Sequence, residues 1–257
     1  MPKLRVAVLF LAVAATAHGN WAVFSTDSEP GGAGIVHQHV VLEDTGTNDR
    51  AVVDLAIFSA KSCTLRVIQN EDGASDLAEV MTRRKCLAGI NGGYFSPDFA
   101  PIGLLITDGK VVAPLQRARL ITGVLSASAR GVQIARIREF SQQRKVSAAV
   151  QCGPFLVDLG RPVRGLEATR SARRTFAAIG GSDHVALGVC SEITLTELAK
   201  ILGTTQIADR VKISRALNFD GGSSSAFWFA RDSAAFSIPE QKIVRDFVAV
   251  VPRGSGD

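Results

Sequence analysis

Three polar residues stand at the ends of apolar segments and have side chains suited to chemistry on an anionic substrate. Asp220 ends the apolar stretch of "ALNFDGGSSS", and Asn91 ends that of "LAGINGGYF"; both are followed by two glycines. Arg174 begins a third apolar stretch, in "SARRTFAAIGG". A carboxylate can take a proton from water, and a guanidinium can hold a phosphate or carboxylate through two parallel hydrogen bonds.

The residues after Asp220 are small and rich in hydrogen-bonding groups. Gly221 and Gly222 allow positive φ and a close approach of backbone or ligand, and Ser223 and Ser224 add hydroxyls. Because successive N–H groups in such a turn can form a concavity that binds anions, we predict a binding site at this strand end. The alternative is a hairpin turn in which Asp220 bonds only its own backbone.

The other candidates have structural alternatives as well. Arg174 is also suited to a buried structural ion pair, and Asn91 to an Asn-Gly turn. Tyr94, the only tyrosine, is able to stack on a sugar or to pack in the core.

These residues must be positioned by a fold made of many short strands. The pattern predicts an α+β protein with a mixed, largely antiparallel sheet core, a few helices and a single domain over residues 50–251. Helices are predicted at residues 76–85 and 194–202, the second with a capping box of Thr194 and Glu197. Asp108-Gly109 predicts a two-residue hairpin.

Other segments are predicted from their glycine, proline and charge content. Residues 18–49 form an N-terminal arm and first strand, and residues 252–257 a frayed tail. Residues 147–157 form one strand with a bulge or bend at Gly153-Pro154. The arginine-rich segment 161–174 is a loop.

The N-terminus has the pattern of a secretory signal peptide over residues 1–17. A short basic region precedes an uncharged apolar run, and Ala15-Thr16-Ala17 fits a cleavage site. The alternative is a first buried strand. Export predicts a periplasmic or secreted protein, and no segment of the mature chain is apolar over the length that a membrane span requires.

Export also predicts disulfide bonds. Four cysteines lack the C-x-x-C spacing of zinc ribbons, and three pairings are open to them. Proximity in the chain favours Cys63–Cys86 and Cys152–Cys190. The alternative is four buried free thiols.

Charge and motifs exclude several other functions. The formal net charge of +5 falls to +3 if residues 1–17, with Lys3 and Arg5, are removed (27 − 24). This mildly basic balance is compatible with an anionic partner, and the basic-aromatic pattern of a nucleic-acid binder does not occur. No phosphate-binding loop occurs. His37 and His39 share a strand face and are predicted to lie at the surface, so no zinc site and no required cofactor is expected. A structural calcium ion bound by Asp side chains is compatible with the sequence.

Six segments, taken in order, resemble the phosphodiester glycosidase family. They cover roughly residues 50–251 and are "NGGYF", "PIGLLITDGKVV", "QCGPFLVDLGRPV", "RRTFAAIG", "LTELAKIL" and "LNFDGGSSSAF". The resemblance implies hydrolysis of a bond between a sugar and a phosphodiester. Two departures from the family pattern are Phe176, where alanine is usual, and Ser223, where glycine is frequent. Both are expected to alter the shape of the pocket.

The resemblance also assigns roles to residues. Asp220 is the implied catalytic carboxylate and Arg174 the implied phosphate contact. The implied substrate-binding residues are Asn91, Gly92, Tyr94, Thr175, Asn218, Gly221, Gly222, Ser223 and Ser224.

The sequence does not identify a second catalytic carboxylate. The candidates are Asp98, Asp108, Asp158 and Glu192, each of which also suits a turn or cap. The predicted function is an exported glycosidase that hydrolyses a sugar-1-phosphodiester in an envelope or extracellular glycan, so that the partner is an anionic or phosphodiester-linked glycan. The alternative is a non-catalytic glycan-binding protein of exopolysaccharide assembly, motivated by Phe176 and by the missing carboxylate.

Overall fold

The computed structural model describes residues 21–141, 145–181, 183–208 and 211–254. They form one domain of antiparallel β-sheets with two α-helices. Every strand pair in these ranges is antiparallel, so the predicted mixed sheet is corrected to an antiparallel one, and the fold is richer in strands than an even α+β mixture.

The largest sheet has eight strands, in a spatial order that differs from the chain order. From one edge to the other they are β1 (Trp21–Pro30), β2 (Val36–Asp44), β3 (Arg50–Ser59), β14 (His184–Ile193), β13 (Ala172–Gly180), β15 (Ile213–Asn218), β11 (Phe155–Asp158) and β12 (Arg161–Pro162).

Two five-stranded sheets complete the β-structure. One contains β7 (Lys110–Ala113), β6 (Leu105–Thr107), β10 (Ala148–Cys152), β8 (Gly123–Ser128) and β9 (Gly131–Arg136). The other contains β17 (Phe236–Ile238), β16 (Phe227–Phe229), β5 (Ala88–Asn91), β18 (Asp246–Pro252) and β4 (Cys63–Gln69).

Two segments differ from the strand predictions near the site. The single strand predicted at 147–157 is two strands of different sheets, β10 and β11, because the chain turns at Gly153-Pro154. The segment predicted as a loop at 161–174 contains β12 and the start of β13, so Arg174 lies in a strand and not in a loop.

Local sequence signals place the two helices and one hairpin. Helix α1 (Leu77–Arg83) begins after Asp76, whose side chain accepts the Glu79 N–H, and α2 (Leu195–Thr204) has the predicted capping box. Asp108 and Gly109, with φ of 46° and 76°, form the predicted hairpin between β6 and β7.

Two hydrophobic clusters lie on opposite faces of the eight-stranded sheet, because side chains alternate along each strand. On β13, Phe176 and Ala178 pack on the cluster that includes Leu198 of α2, whereas Ala177 packs on the cluster shared with the two smaller sheets. Phe176 is fully buried. This departure from the family pattern is therefore a core residue, and its predicted effect on the pocket is corrected.

The predicted disulfides are absent from the structure, because each favoured pair is divided between separate hydrophobic clusters. Cys63 and Cys152 lie in the cluster between the sheets, Cys190 in the cluster against α2, and Cys86 in the cluster around α1. All four are buried free thiols. Burial raises the pKa of each thiol, that of Cys190 to about 12.

The ends of the described chain are more ordered than predicted. Residues 21–30 of the predicted arm form β1, and Arg253 donates to the carbonyls of Ala60, Ala129 and Ser128. The predicted signal peptide and residues 255–257 of the tail lie outside the described residues. Neither of the two described helices has the length and apolar character to cross a membrane.

Candidate active site

The three polar segments converge on the side chain of Asn91, at the end of β5. Asn91 is fully buried. Its Nδ2 donates to the carbonyl oxygen of Asp220 at 2.8 Å, and its Oδ1 accepts from Thr175 Oγ1 at 2.7 Å and from the Ala226 N–H at 3.1 Å. One amide therefore ties β5 to β13 and to the segment after β15, which lie far apart in sequence.

Asp220 is held through its backbone and is half-buried. The preceding residue, Phe219, is fully buried, and its N–H donates to the Thr175 carbonyl at 2.8 Å. The Asp220 carboxylate accepts the N–H of Gly221 at 3.0 Å, its one hydrogen bond from the described residues. The backbone is fixed while most of the carboxylate's acceptor capacity remains free.

The two glycines after Asp220 serve different needs. A Cβ at Gly221 would lie 2.9 Å from the Arg173 carbonyl oxygen and 3.9 Å from Arg174 Cδ, so this glycine lets the turn pack against β13. Gly222 has φ of 64°, which disfavours larger residues, and opens the 3₁₀ turn of Gly222–Ser224.

The serine residues lie mostly inside this turn. Ser223 is half-buried and its carbonyl accepts the N–H groups of Gln241 and Lys242. Ser224 and Ser225 are fully buried, and neither hydroxyl has a hydrogen-bond partner among the described residues. The N–H groups of Ser224 and Ser225 bond to Gly221 and Gly222, so they do not point at a ligand as predicted for the turn.

Arg174 lies beside this turn, and its guanidinium is largely occupied. Its Nε donates to the Ile193 carbonyl at 2.9 Å and its Nη2 to the Arg170 carbonyl at 2.5 Å, with Glu167 Oε2 3.7 Å away. Burial lowers the pKa of Arg174, while Glu167 acts in the opposite direction. The structure thus anchors the charge next to Gly221 and leaves Nη1 without a hydrogen bond to the described residues.

Tyr94 and Asn218 form a second hydrogen-bonded group beside Asp220. The Tyr94 hydroxyl donates to the Gly153 carbonyl at 2.8 Å, and Asn218 Nδ2 donates to the Tyr94 hydroxyl and to the same carbonyl, each at 3.1 Å. Burial, followed by the neighbouring Cys152 and Asp220, raises the pKa of Tyr94. Asn218 Oδ1 is buried without a partner in the described chain.

A second carboxylate does lie at the site, and it is Asp246, which the sequence analysis did not single out. It begins β18 and is 1% exposed. Its Oδ1 accepts the Gly93 N–H at 3.1 Å, its carbonyl accepts the Gly92 N–H at 2.7 Å, and its Oδ2 has no partner among the described residues. A Cβ at Gly92 would lie 1.7 Å from Oδ1, so this glycine makes room for the carboxylate.

The environment of Asp246 favours its protonated form. Burial raises its pKa to about 6, the negative charge of Asp220 acts in the same direction, and the Gly93 N–H and Arg245 oppose the shift. The signal in the sequence was an acid within the otherwise apolar segment "DFVAVV". Burying a carboxylate in a strand is costly unless a specific hydrogen-bond partner compensates for the lost water, so such an acid indicates a partner elsewhere in the fold.

The four predicted candidates for the second carboxylate lie elsewhere. Asp98 and Glu192 are exposed, Asp108 lies in the β6–β7 hairpin, and Asp158 pairs with Arg136 at 2.7 Å. None of them hydrogen-bonds to Asn91, Arg174 or Asp220 in the described chain.

Clefts of 770, 690 and 430 Å³ in the described chain are lined by residues other than Arg174 and Asp220. That Arg174 and Asp220 face one common pocket stays a prediction.

His37 and His39 are not simple surface residues. His37 is 2% exposed, and both rings donate to Asp54 Oδ1 at 2.9 Å, while Arg231 Nη2 donates to His37 Nδ1 at 3.1 Å. The predicted surface position is therefore wrong for His37. No group of three or more His, Cys, Asp or Glu side chains in the described ranges is arranged to hold a metal ion.

Comparison with protein families gives one match that covers most of the chain. The model of a family described as phosphodiester glycosidase matches residues 84–250, a range that includes Asn91, Arg174, Asp220 and Asp246. No curated protein matches the sequence significantly.

Solved structures show the same fold at low sequence identity. A hypothetical protein from Synechocystis superposes with a TM-score of 0.60 at 14% identity, over 89% of this chain and 64% of that one. The catalytic domain of zebrafish N-acetylglucosamine-1-phosphodiester alpha-N-acetylglucosaminidase, auto-inhibited by its pro-peptide, gives 0.58 at 15% identity, over 93% and 85%. A Burkholderia pseudomallei protein gives 0.55 at 12% identity, over 80% and 75%.

Proposed function

The chain belongs to the phosphodiester glycosidase family, and from that premise we propose that it hydrolyses the bond between a sugar and a phosphodiester in an envelope or extracellular glycan. The observation that carries the proposal is the junction at Asn91. It brings the Asn-Gly-Gly, Arg-Thr and Asp-Gly-Gly segments together through the backbone of Asp220, so that the Asp220 carboxylate is not used in the junction.

Asp220 is the proposed catalytic carboxylate. It takes a proton from a water molecule whose oxygen adds to the anomeric carbon. The bond from that carbon to the phosphate oxygen breaks, and its electron pair leaves with a phosphate monoester. The products are the free sugar and the phosphate monoester of the remaining glycan. Because the leaving group is a weakly basic phosphate, it departs without a proton donor, and one carboxylate is sufficient.

Arg174 is the proposed positive charge for the phosphate. Its contacts with the Ile193 and Arg170 carbonyls hold the guanidinium in place, and Nη1 remains for an incoming oxygen. A charge fixed before the substrate arrives stabilises developing negative charge without reorganisation. Tyr94, Thr175 and Asn218 are proposed to shape the site from beneath, because their polar groups are engaged in hydrogen bonds within the chain.

Asp246 is the proposed positioning residue for this arrangement. It holds the Gly92–Gly93 turn through two hydrogen bonds, and that turn follows Asn91 directly. While it is protonated it places no second negative charge beside Asp220. We therefore expect activity to depend on its protonation state, with an effect on the pH profile and not only on folding.

The non-catalytic alternative has weaker motives in this proposal. Phe176 is a core residue that packs on the α2 side of the eight-stranded sheet. A second catalytic carboxylate is not required by the proposed reaction, and Asp246 has a positioning role only. Export to the periplasm or cell exterior stays part of the proposal on the strength of residues 1–17 alone.

The test is release of free sugar from a panel of synthetic sugar-1-phosphodiesters that vary in sugar, anomer and remaining alcohol. Wild type should release sugar from at least one member, and Asp220→Asn should release it far more slowly. Equal rates for the two proteins would remove Asp220 from its role. Tight binding of a panel member without turnover by wild type would favour the non-catalytic alternative.

A further inference from the structure

A broad, arginine-lined cleft takes no part in the chemistry described above. Its volume is 770 Å³, enough for one or two sugar units. Arg117, Arg136 and Arg138 line it together with Thr122 and Phe140, and the one acid in its lining is Asp158.

The guanidinium of Arg136 is held rigidly in this cleft. Its Nε donates to Asp158 Oδ2 at 2.7 Å, and its plane lies over the Phe155 ring, 4.5 Å from the centroid. Asp158 is also 3.4 Å from the Nε of Arg215, so its negative charge is already neutralised. A guanidinium fixed along one edge can offer its other nitrogens to a carboxylate or phosphate with little loss of conformational freedom.

The other two arginines contribute charge that the protein does not neutralise. Arg117 and Arg138 are exposed, and neither has a salt bridge to any acid that the structure describes. Around the cleft the acids Asp158 and Glu139 face four arginines, because Arg215 also pairs with Glu139 at 2.6 Å. The local field therefore favours an anion.

The cleft is connected to the candidate active site by the Gly153–Phe155 segment. The Gly153 carbonyl accepts from Tyr94 and Asn218 on the active-site side. On the cleft side, the Thr122 hydroxyl accepts the Phe155 N–H at 3.0 Å, and the Phe155 ring lies beneath Arg136. The same short segment therefore contacts residues of both sites.

We propose that this cleft is a binding subsite for an acidic oligosaccharide, and that the negatively charged part of the substrate glycan docks there while its phosphodiester lies at Asp220. The inference rests on the proposed function for its place in catalysis, but the binding step stands independently. It narrows the substrate to a glycan that carries carboxylate or phosphate groups beyond the bond that is cut.

A second basic cleft provides an internal reference. It has a volume of 690 Å³ and is lined by Arg161, Arg164 and Lys200. No cation of this cleft is held by an ion pair or an aromatic ring among the described residues. We expect it to bind acidic sugars weakly, as any basic surface does.

The experiment measures binding by calorimetry, with no turnover required. The probes are an oligogalacturonate, a phosphorylated oligomannose, and the methyl-esterified oligogalacturonate as the uncharged counterpart. The proteins are wild type, Arg117→Gln/Arg138→Gln, and the matched control Arg161→Gln/Arg164→Gln, which loses the same charge at the second cleft. Circular dichroism verifies that each variant is folded.

Wild type should bind one acidic probe, and the Arg117/Arg138 variant should bind it about tenfold or more weakly, since each charged contact is worth a factor of this size. The control variant should keep its affinity within about twofold. Which acidic probe binds identifies the carboxylate or the phosphate as the recognised group. No binding of either acidic probe, equal binding of the methyl ester, or equal loss in both variants would each overturn the proposal. Sugar release from a short substrate whose only charge is its phosphodiester should stay intact in that event, which separates this failure from failure of the proposed function.

Discussion

Two buried polar clusters join the sheets of this protein, and they treat their carboxylates in opposite ways. In the Asn91 cluster (Asn91, Thr175, Asp220 and Ala226), the Asn91 amide binds the backbone of Asp220, and the Asp220 carboxylate accepts a single hydrogen bond from the described residues. The histidine cluster (His37, His39, Asp54 and Arg231) buries the Asp54 carboxylate and bonds one of its oxygens to two rings.

The difference shows how the same residue types serve structure in one place and chemistry in another. In the histidine cluster the acceptor capacity of the buried acid is used inside the chain, as stability requires. In the Asn91 cluster the neutral amide of Asn91 makes the hydrogen bonds that join the strands. The Asp220 carboxylate is therefore available to bind a ligand. Nearby polar atoms without partners, among them Asp246 Oδ2 and Asn218 Oδ1, mark the same region.

Replacing the carboxylate of each cluster by an amide should separate the catalytic role of Asp220 from the structural role of Asp54 most strongly. Asp220→Asn should lower sugar release by about a hundredfold or more, since a positioned acid–base group contributes at least that much. Asp54→Asn should leave kcat within about twofold but lower the free energy of unfolding by about 1–2 kcal/mol, because charge-assisted hydrogen bonds to the histidines are lost. Urea unfolding and rate measurements on both variants test this. Equal losses of activity in the two variants would contradict the assignment of catalysis to Asp220 and of structure to Asp54.

Removing the central amide should damage folding more than any other single change in the Asn91 cluster. Asn91→Ala leaves the Thr175 hydroxyl, the Ala226 N–H and the Asp220 carbonyl without their buried partner. We expect the free energy of unfolding to fall by about 3–5 kcal/mol, as two or three buried groups become unsatisfied. The measurement is chemical denaturation, and a loss below about 1 kcal/mol would mean that the junction is not structural.

Asp246 should make stability depend on pH in a direction opposite to that of an ordinary surface acid. Its pKa is about 6 in the folded protein, against about 4 when unfolded. Its contribution is therefore fully present below pH 4 and is lost as the pH rises through 6.

Relative to Asp246→Asn, wild type should lose up to about 3 kcal/mol between pH 4 and pH 8, since each pKa unit corresponds to about 1.4 kcal/mol. Denaturation of both proteins across this range measures the difference. Parallel curves would mean that Asp246 ionises normally.

The smallest effect is expected for a single hydrogen bond within the Asn91 cluster. Thr175→Val keeps the shape of the side chain and removes only the donor to Asn91 Oδ1, which still accepts from Ala226. The free energy of unfolding should fall by about 1 kcal/mol, with the rate of sugar release little changed. A large loss of activity would instead assign Thr175 to contact with the substrate.

Local signals predicted what depends on neighbours in the chain. The capping box of α2 and the Asp-Gly hairpin were predicted correctly because turns and caps are determined by a few adjacent residues. The convergence of the Asn91 and Asp220 segments followed from their shared pattern of an apolar strand, a polar residue and two glycines. The family was confirmed as well.

Other features depend on contacts that the sequence does not display. Strand β1 is mostly exposed, so its residues lack the alternation that marks a strand. The cysteine pairs failed because proximity in the chain says nothing about which face of a sheet a side chain occupies. Asp246 was missed because its partners, Gly92 and Gly93, lie more than a hundred residues earlier.

The position of β14 in the eight-stranded sheet has a consequence for the order in which the chain can fold. Strand β3 pairs with β14, so Val53 lies opposite Cys190, and the meander of β1, β2 and β3 has an open edge until that distant strand is made. Pairings of such long sequence separation close slowly because the loop entropy is lost before the contacts form. During synthesis β1 to β3 therefore remain an incomplete sheet with an open edge, which favours aggregation, until more than two-thirds of the chain has emerged.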